Sequence, residues 1–173
     1  QEAINDVDKY ASFKWPSVGC TAVIVVIFDD DIYIANVGDS RVILIENNIA
    51  KRCTVDHRSS DPEEKKGAIE RGGTVQNDRV NGTLMLSRSI GDGTLGNAVS
   101  TEAHFEKAKR KDGMKMIIAC DGVWDVMSDQ KAADILLSCN RIPEAAKAIK
   151  DESIRLDTKD NVSCIVVDLT PKK

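Results

Sequence analysis

The order of its segments predicts an α+β fold, with sheet packed on sheet or helices covering a sheet. Three observations carry this. Between residues 20 and 53, four strand-like runs follow one another with turns roughly every eight to ten residues, the pattern of an antiparallel meander and not of strands alternating with helices. Helical stretches are set apart from them, one near 61–73 and two between 128 and 155. A last apolar strand, 161–169, closes the chain.

Taken in order, residues 1–12 suit a helix with a thin apolar face. CTAVIVVIF (20–28) shows no alternation and reads as a strand buried on both faces. Acids at 29–31 turn the chain into IYIANV (32–37), which alternates and ends on GDS. RVILIE (41–46), a turn at Asn47–Asn48 and IAKRC (49–53) follow. The next stretch carries helix punctuation: Asp61 can cap, Pro62 suits the first helical position, Glu64 completes a capping box and Gly72 can terminate. Asn81–Gly82 within RVNGTLML (79–86) is a hairpin signal, since both residues tolerate positive φ. From Gly91 to Gly113 the pattern dissolves, and the basic run KAKRK (107–111) reads as a solvated loop. MIIAC (116–120) then forms a strand that runs straight into Asp121–Gly122, ahead of helices over about 128–139 and 143–155.

Composition bounds the function. At 173 residues the chain has the size of one domain, 1–173, able to bury a substantial core. A hydrophobic share of 42% with 30% charged residues is globular and not disordered. The net charge of −4 gives no reason to expect nucleic acid or an anionic membrane as partner. The longest apolar run, 22–28, is far too short to cross a bilayer. The five cysteines are odd in number, lack close pairs and lack Cys-x2-Cys spacing. They are expected to be reduced core residues of an intracellular protein, cytoplasmic or nuclear. No signal peptide is visible, and the chain opens on Gln1, not methionine.

Several chemistries fall away. None of the cysteines has an arginine six positions on, as a thiolate phosphatase requires. GDSRV (38–42) lacks the final glycine of a serine-hydrolase elbow, and there is no Walker loop. GDGTLG (91–96) matches Gly-x-Gly-x-x-Gly, but the segment after it has no helical stripe to point amides at a pyrophosphate. The aspartates do better. Asp121 ends one strand and Asp160 precedes another; if the two strands are antiparallel neighbours, both carboxylates stand at one sheet edge. Adjacent like charges are costly without a cation. Hard oxygen ligands suit Mg²⁺ or Mn²⁺, which acidify a water and neutralise a phosphoryl oxygen. From spacing alone, each aspartate reads first as a turn residue.

Six stretches in order, GCTAVIVVI, ANVGDSRVIL, VDHRSSDPEEKKGAIERGGTV, RVNGTLMLSRSIGD, IIACDGVWDVMS and KDNVSCIVV, resemble the metal-dependent, type 2C serine/threonine protein phosphatases over about residues 19–167. The resemblance implies a sandwich of two antiparallel sheets flanked by helices. It implies a two-metal Mg²⁺/Mn²⁺ site at one edge, where a metal-bridging water attacks phosphoserine or phosphothreonine of a protein substrate without a covalent intermediate. By the same resemblance Asp121 and Asp160 are metal ligands, Asp56 belongs to a third, weaker metal, and Asp125 supports that position through water. Asp39, Arg41, Arg88 and Asp92 are implied to make buried pairs and turns, and residues 93–114 fall where the family carries a variable flap. His57 and His104 read as surface or hydrogen-bonded histidines.

The family's N-terminal section, with a phosphate-binding Arg, an early metal Asp and the motif DGHGG, has no counterpart here. No catalytic Arg or His is therefore assigned, the metal set is incomplete, and the match reads as an N-terminally truncated domain. Two expectations follow: a phosphatase portion inactive or weakly active alone, or a catalytically inactive binding or scaffold domain. Strands absent from a sandwich leave edges and apolar surface uncovered, so a homodimer or segment-exchanged oligomer is expected.

Overall fold

The computed structural model describes residues 1–170. In chain order it forms α1 (Glu2–Lys14), β1 (Gly19–Cys20), β2 (Ala22–Phe28), β3 (Asp31–Val37), β4 (Arg41–Glu46) and β5 (Ile49–Arg52). Then come α2 (Pro62–Glu70), β6 (Val75–Gln76), β7 (Arg79–Val80), β8 (Ile90–Gly91), a 3-10 segment (Gly93–Ala98) and β9 (His104–Lys109). The chain ends with β10 (Lys115–Ala119), the one-turn α3 (Asp121–Trp124), α4 (Asp129–Ser138), α5 (Ile142–Arg155) and β11 (Cys164–Asp168). No helix among the described residues is long and apolar enough to cross a membrane. The chain divides into two compact units: residues 1–22, 35–39 and 55–104, and residues 23–34, 40–54 and 105 onward.

The second unit is layered. A three-stranded sheet, β2-β3-β9, and a four-stranded sheet, β11-β10-β4-β5, share one apolar core in which Ile32 and Ile34 meet Val42, Leu44 and Met116. On the other face of the four-stranded sheet, Ile43, Ile45 and Ile117 pack with Ala132, Ala133 and Leu136 of α4 and Ala145 and Ile149 of α5. Successive residues of β4 and β10 thus serve opposite cores, as the period-2 alternation of a strand dictates. Ile117 lies opposite both Ile43 and Val166, so β10 is central and antiparallel to β4 and β11. RVILIE, like β10, is sheathed on both faces.

CTAVIVVIF is not, and that expectation is corrected. It breaks at Thr21, and β2 is an edge strand: Val23 and Val25 turn into the sandwich core while Ile24, Val26 and Phe28 stay 46%, 53% and 68% exposed. The four-strand meander is also corrected. Between β3 and β4 the chain leaves one sheet for the other. Within the stretch expected to be irregular, residues 104–109 form a strand of the three-stranded sheet. KAKRK is solvated but not a loop: Lys107 and Lys109 project from β9 to Asp31, while Arg110 and Lys111 pair with Asp30 and Glu46. The cysteines are free among the described residues, yet only Cys53 is buried and Cys20 is exposed.

The first unit has small cores, Ile4 with Val37, Ile90 and Ala103, and Ala68 with Val80 and Ala98. Much of its order comes from buried polar groups that must be paired. Asp61 caps α2, accepting from the Glu63 and Glu64 amides. Glu64 forms no capping box; its buried carboxylate instead takes the Ser87 hydroxyl and Arg88 Nε (3.0 Å). Burial pushes Glu64 up, but the Arg88 and Ser87 hydrogen bonds outweigh it and hold the carboxylate below its usual range. Asn81 and Gly82 both take positive φ beside a Val80–Leu84 bridge, so the expected turn is present. A second hairpin turn, at Asn77–Asp78, joins β6 to β7.

His57 is 1% exposed, and its Nδ1 accepts the Gly38 N–H at 3.0 Å. Burial, reinforced by the Arg88 charge, lowers its pKa from 6.5 to about 4. The neutral ring therefore stabilises the fold above pH 6.5, and this contribution is lost as pH falls from 6.5 towards 4. His57→Gln is expected to be less stable than the parent at pH 7, with the gap narrowing by up to about 3 kcal/mol by pH 4. Urea midpoints across that range measure it, and a constant gap would contradict the assignment.

Candidate functional site

β10 delivers the chain into α3, whose first residue is Asp121. Beside it runs β11, with Ala119 opposite Cys164, and the ladder continues one step as the Cys120 N–H donates to the Ser163 carbonyl at 3.2 Å. The Cys120 thiol bridges the same gap, donating to the Asn161 carbonyl and accepting from the Ser163 N–H, each at 3.2 Å. The segment that holds Asp160 is thereby drawn alongside the start of α3. The expected antiparallel neighbours are present, and Asp121 and Asp160 share one edge of the sheet.

Gly122 explains how closely. A Cβ on it would lie 2.1 Å from the Asn161 carbonyl oxygen, deep inside van der Waals contact. The glycine is needed for this approach and not for a left-handed turn, since its φ is not positive. Each aspartate then accepts from the amide that follows it: Asp121 from Gly122 at 2.9 Å and Asp160 from Asn161 at 2.6 Å. One oxygen of each carboxylate is fixed by its own backbone. Asp121 is half-buried and Asp160 exposed. Asp125 is exposed one turn beyond Asp121, its amide bonded to the Asp121 carbonyl at 2.8 Å. Asp56 belongs to the other unit, half-buried next to His57.

The donor type suits a hard divalent cation, but the number does not. Among the described residues no three His, Cys, Asp or Glu side chains gather as a metal-holding group. These residues alone do not make a metal centre. Burial, with the neighbouring Cys120, pushes the Cys164 thiol up to about 12, so that residue is no thiolate.

The other motif residues behave structurally. Asp39 is buried and paired with Arg58 at 2.9 Å. Arg88 holds Glu64, and Asp92 sits in a left-handed turn, accepting the Ser89 hydroxyl at 2.6 Å. Arg41 reaches Asp129 and covers the Trp124 ring. That last trio was not foreseen; its one sequence signal is an indole beside an acid-rich helix start, which by itself names no partner.

Set beside known proteins, the chain matches the family profile described as protein phosphatase 2C over residues 1–162. The chain belongs to the protein phosphatase 2C family. It is 37% identical over 141 residues to protein phosphatase 2C homolog 1 of Schizosaccharomyces pombe, covering 80% of this chain and 41% of that protein. It is 35% identical over 189 residues to protein phosphatase 2C 56 of Arabidopsis thaliana, covering 91% of this chain and 43% of that one. Its fold matches a Caenorhabditis elegans sex determining protein at a TM-score of 0.84 and 26% identity, over 95% of this chain and 44% of the other. A serine-threonine phosphatase 2C from Toxoplasma gondii matches at 0.79 and 23%, over 95% and 63%, a likeness of fold. The chain spans about half the length of the curated phosphatase 2C relatives it matches. The α+β sandwich is that of phosphatase 2C structures.

Gly122→Ala is expected to destabilise by about 3 kcal/mol or more, because rigid backbone opposes the new methyl. Gly67→Ala in α2 would press on the Arg71 guanidinium at 3.0 Å, a side chain and not backbone, and should cost far less than Gly122→Ala. Equal urea midpoints for the two variants would contradict the close approach.

Proposed function

We propose that this chain forms part of a metal-dependent protein phosphatase that hydrolyses phosphoserine and phosphothreonine in protein substrates. Asp121 and Asp160 are its contribution to a Mg²⁺/Mn²⁺ ligand set, with Asp125, one turn beyond Asp121, lending support through water. The observation that carries this is the placing of Asp121 and Asp160 at one sheet edge in a chain of this family. With fewer than three donors gathered among the described residues, activity requires ligands from a family N-terminal section carrying DGHGG. The 173 residues alone should release negligible phosphate from a phosphothreonyl peptide with Mn²⁺. Fused behind such a section they should be active, and Asp121→Ala or Asp160→Ala should each cut kcat/KM at least about a hundredfold, near 3 kcal/mol. An inactive fusion would sink the reading.

The shortage of donors also supports a second reading, a catalytically inactive domain used for binding. Tight, stoichiometric Mn²⁺ uptake by the chain alone, read by calorimetry, would count against it.

We further propose self-association with a second copy. β2 carries neither charge nor proline along Ala22–Phe28, and its outward Ile24, Val26 and Phe28 lie in the same sheet as exposed Phe105. Light scattering at micromolar concentration should show a dimer or larger species, and Val26→Lys with Phe28→Lys should shift it towards monomer. A parent that is already monomeric contradicts this.

A further inference from the structure

α3 is a single helical turn, and a single turn has little stability of its own, because fixing its backbone costs more than its few hydrogen bonds return. Asp121 opens that turn, so its carboxylate is only as well placed as the tethers holding it. One tether is Trp124. Its indole N–H donates to the Ala119 carbonyl of β10 at 2.8 Å, and the residue is 6% exposed. The ring is covered by the Arg41 guanidinium, 5.0 Å from the ring centroid, in cation–π geometry.

Arg41 begins β4 directly opposite Ala119, the residue whose carbonyl holds the indole. It therefore reaches over the ring from the neighbouring strand, and its far end pairs with Asp129, the first residue of α4. Asp129 is anchored in turn by Arg52 of β5, through hydrogen bonds of 2.8 and 3.1 Å. Arg41 is buried, so neither solvent nor a flexible stem loosens the arrangement. A plain surface ion pair would need no aromatic ring beneath it and no second guanidinium at its acid.

We propose that Arg41 is a positioning residue: it fixes Trp124 and, through Trp124, the turn that sets Asp121 at the sheet edge. This rests on the reading of Asp121 as a site residue, but its readout does not depend on activity.

The test uses the full 173-residue chain in a Trp15→Phe background, which leaves Trp124 as the sole indole. Amide exchange is followed by NMR at Val123, Asp125 and Val126, whose N–H groups bond within the turn. Arg41→Met should speed exchange there at least tenfold more than in β4 and β10, and shift Trp124 emission to the red. Arg41→Lys, which keeps a cation over the ring, should restore most of the protection. Unchanged exchange in α3, or an even rise across β4, β10 and α3, overturns the proposal. Should Arg41→Met not fold, Trp124→Phe keeps the ring and removes the N–H bond: selective loosening of α3 supports the tether, and a uniform rise overturns it. An inactive fusion protein would refute the phosphatase reading while leaving these exchange rates informative, so the two can fail separately.

Discussion

The candidate site depends on the antiparallel pairing of β10 with β11. Five cross-strand pairs fix the register, from Lys115 with Asp168 to Ala119 with Cys164. That register is not free to slip. A shift of one residue would turn every side chain to the opposite face. Here Met116 and Val167 serve the sandwich core, while Ile117 and Val166 serve the core beneath α4 and α5. Hydrophobic burial on two sides therefore determines where the strand ends fall, and the strand ends determine that Asp121 and Asp160 are neighbours along one edge. The carboxylates stand where the packing of apolar residues, themselves inert, leaves them.

Charge is handled differently in the interior. A buried ion without a partner is expensive, and a buried pair holds geometry more surely than it adds stability. Glu64 with Arg88 and Ser87, Asp39 with Arg58, and Asp129 with Arg41 and Arg52 each satisfy this requirement. Their residue types could equally belong to a catalytic acid, base or phosphate clamp. Glu64 and Asp39 are buried, whereas Asp121 is half-buried and Asp160 exposed at the sheet edge.

What was legible in the sequence was mostly local. The Asp61 cap and the Asn81–Gly82 turn are decided by groups a few residues apart, so their signals are self-contained. Non-local competition spoiled other readings. Glu64 had the spacing of a capping box, yet a guanidinium 24 residues away offered its carboxylate a stronger bond. HFEKAK alternates as a strand should, but Lys107 and Lys109 occupy the outward positions and disguise it as loop. An unbroken apolar run cannot announce whether both faces are covered, so β2 was misjudged and β4 was not singled out. The paired aspartates were legible only conditionally, on a strand pairing that sequence could pose but not decide. Arg41, Trp124 and Asp129 were illegible together because only the fold brings strand, turn and helix to one place.

The dipeptides Asp121–Gly122 and Asp160–Asn161 then make sense as a matched pair. Each acid turns one oxygen back onto the next amide, so the backbone helps to set its orientation. The backbones must approach closely for the two acids to share an edge, and Gly122 permits this by presenting no Cβ to the Asn161 carbonyl. The Cys120 thiol supports the approach from the strand end, accepting and donating across it while its half-buried neighbour Cys164 stays protonated. The strand pairing, the glycine and the thiol together bring the two acids to one edge of the sheet.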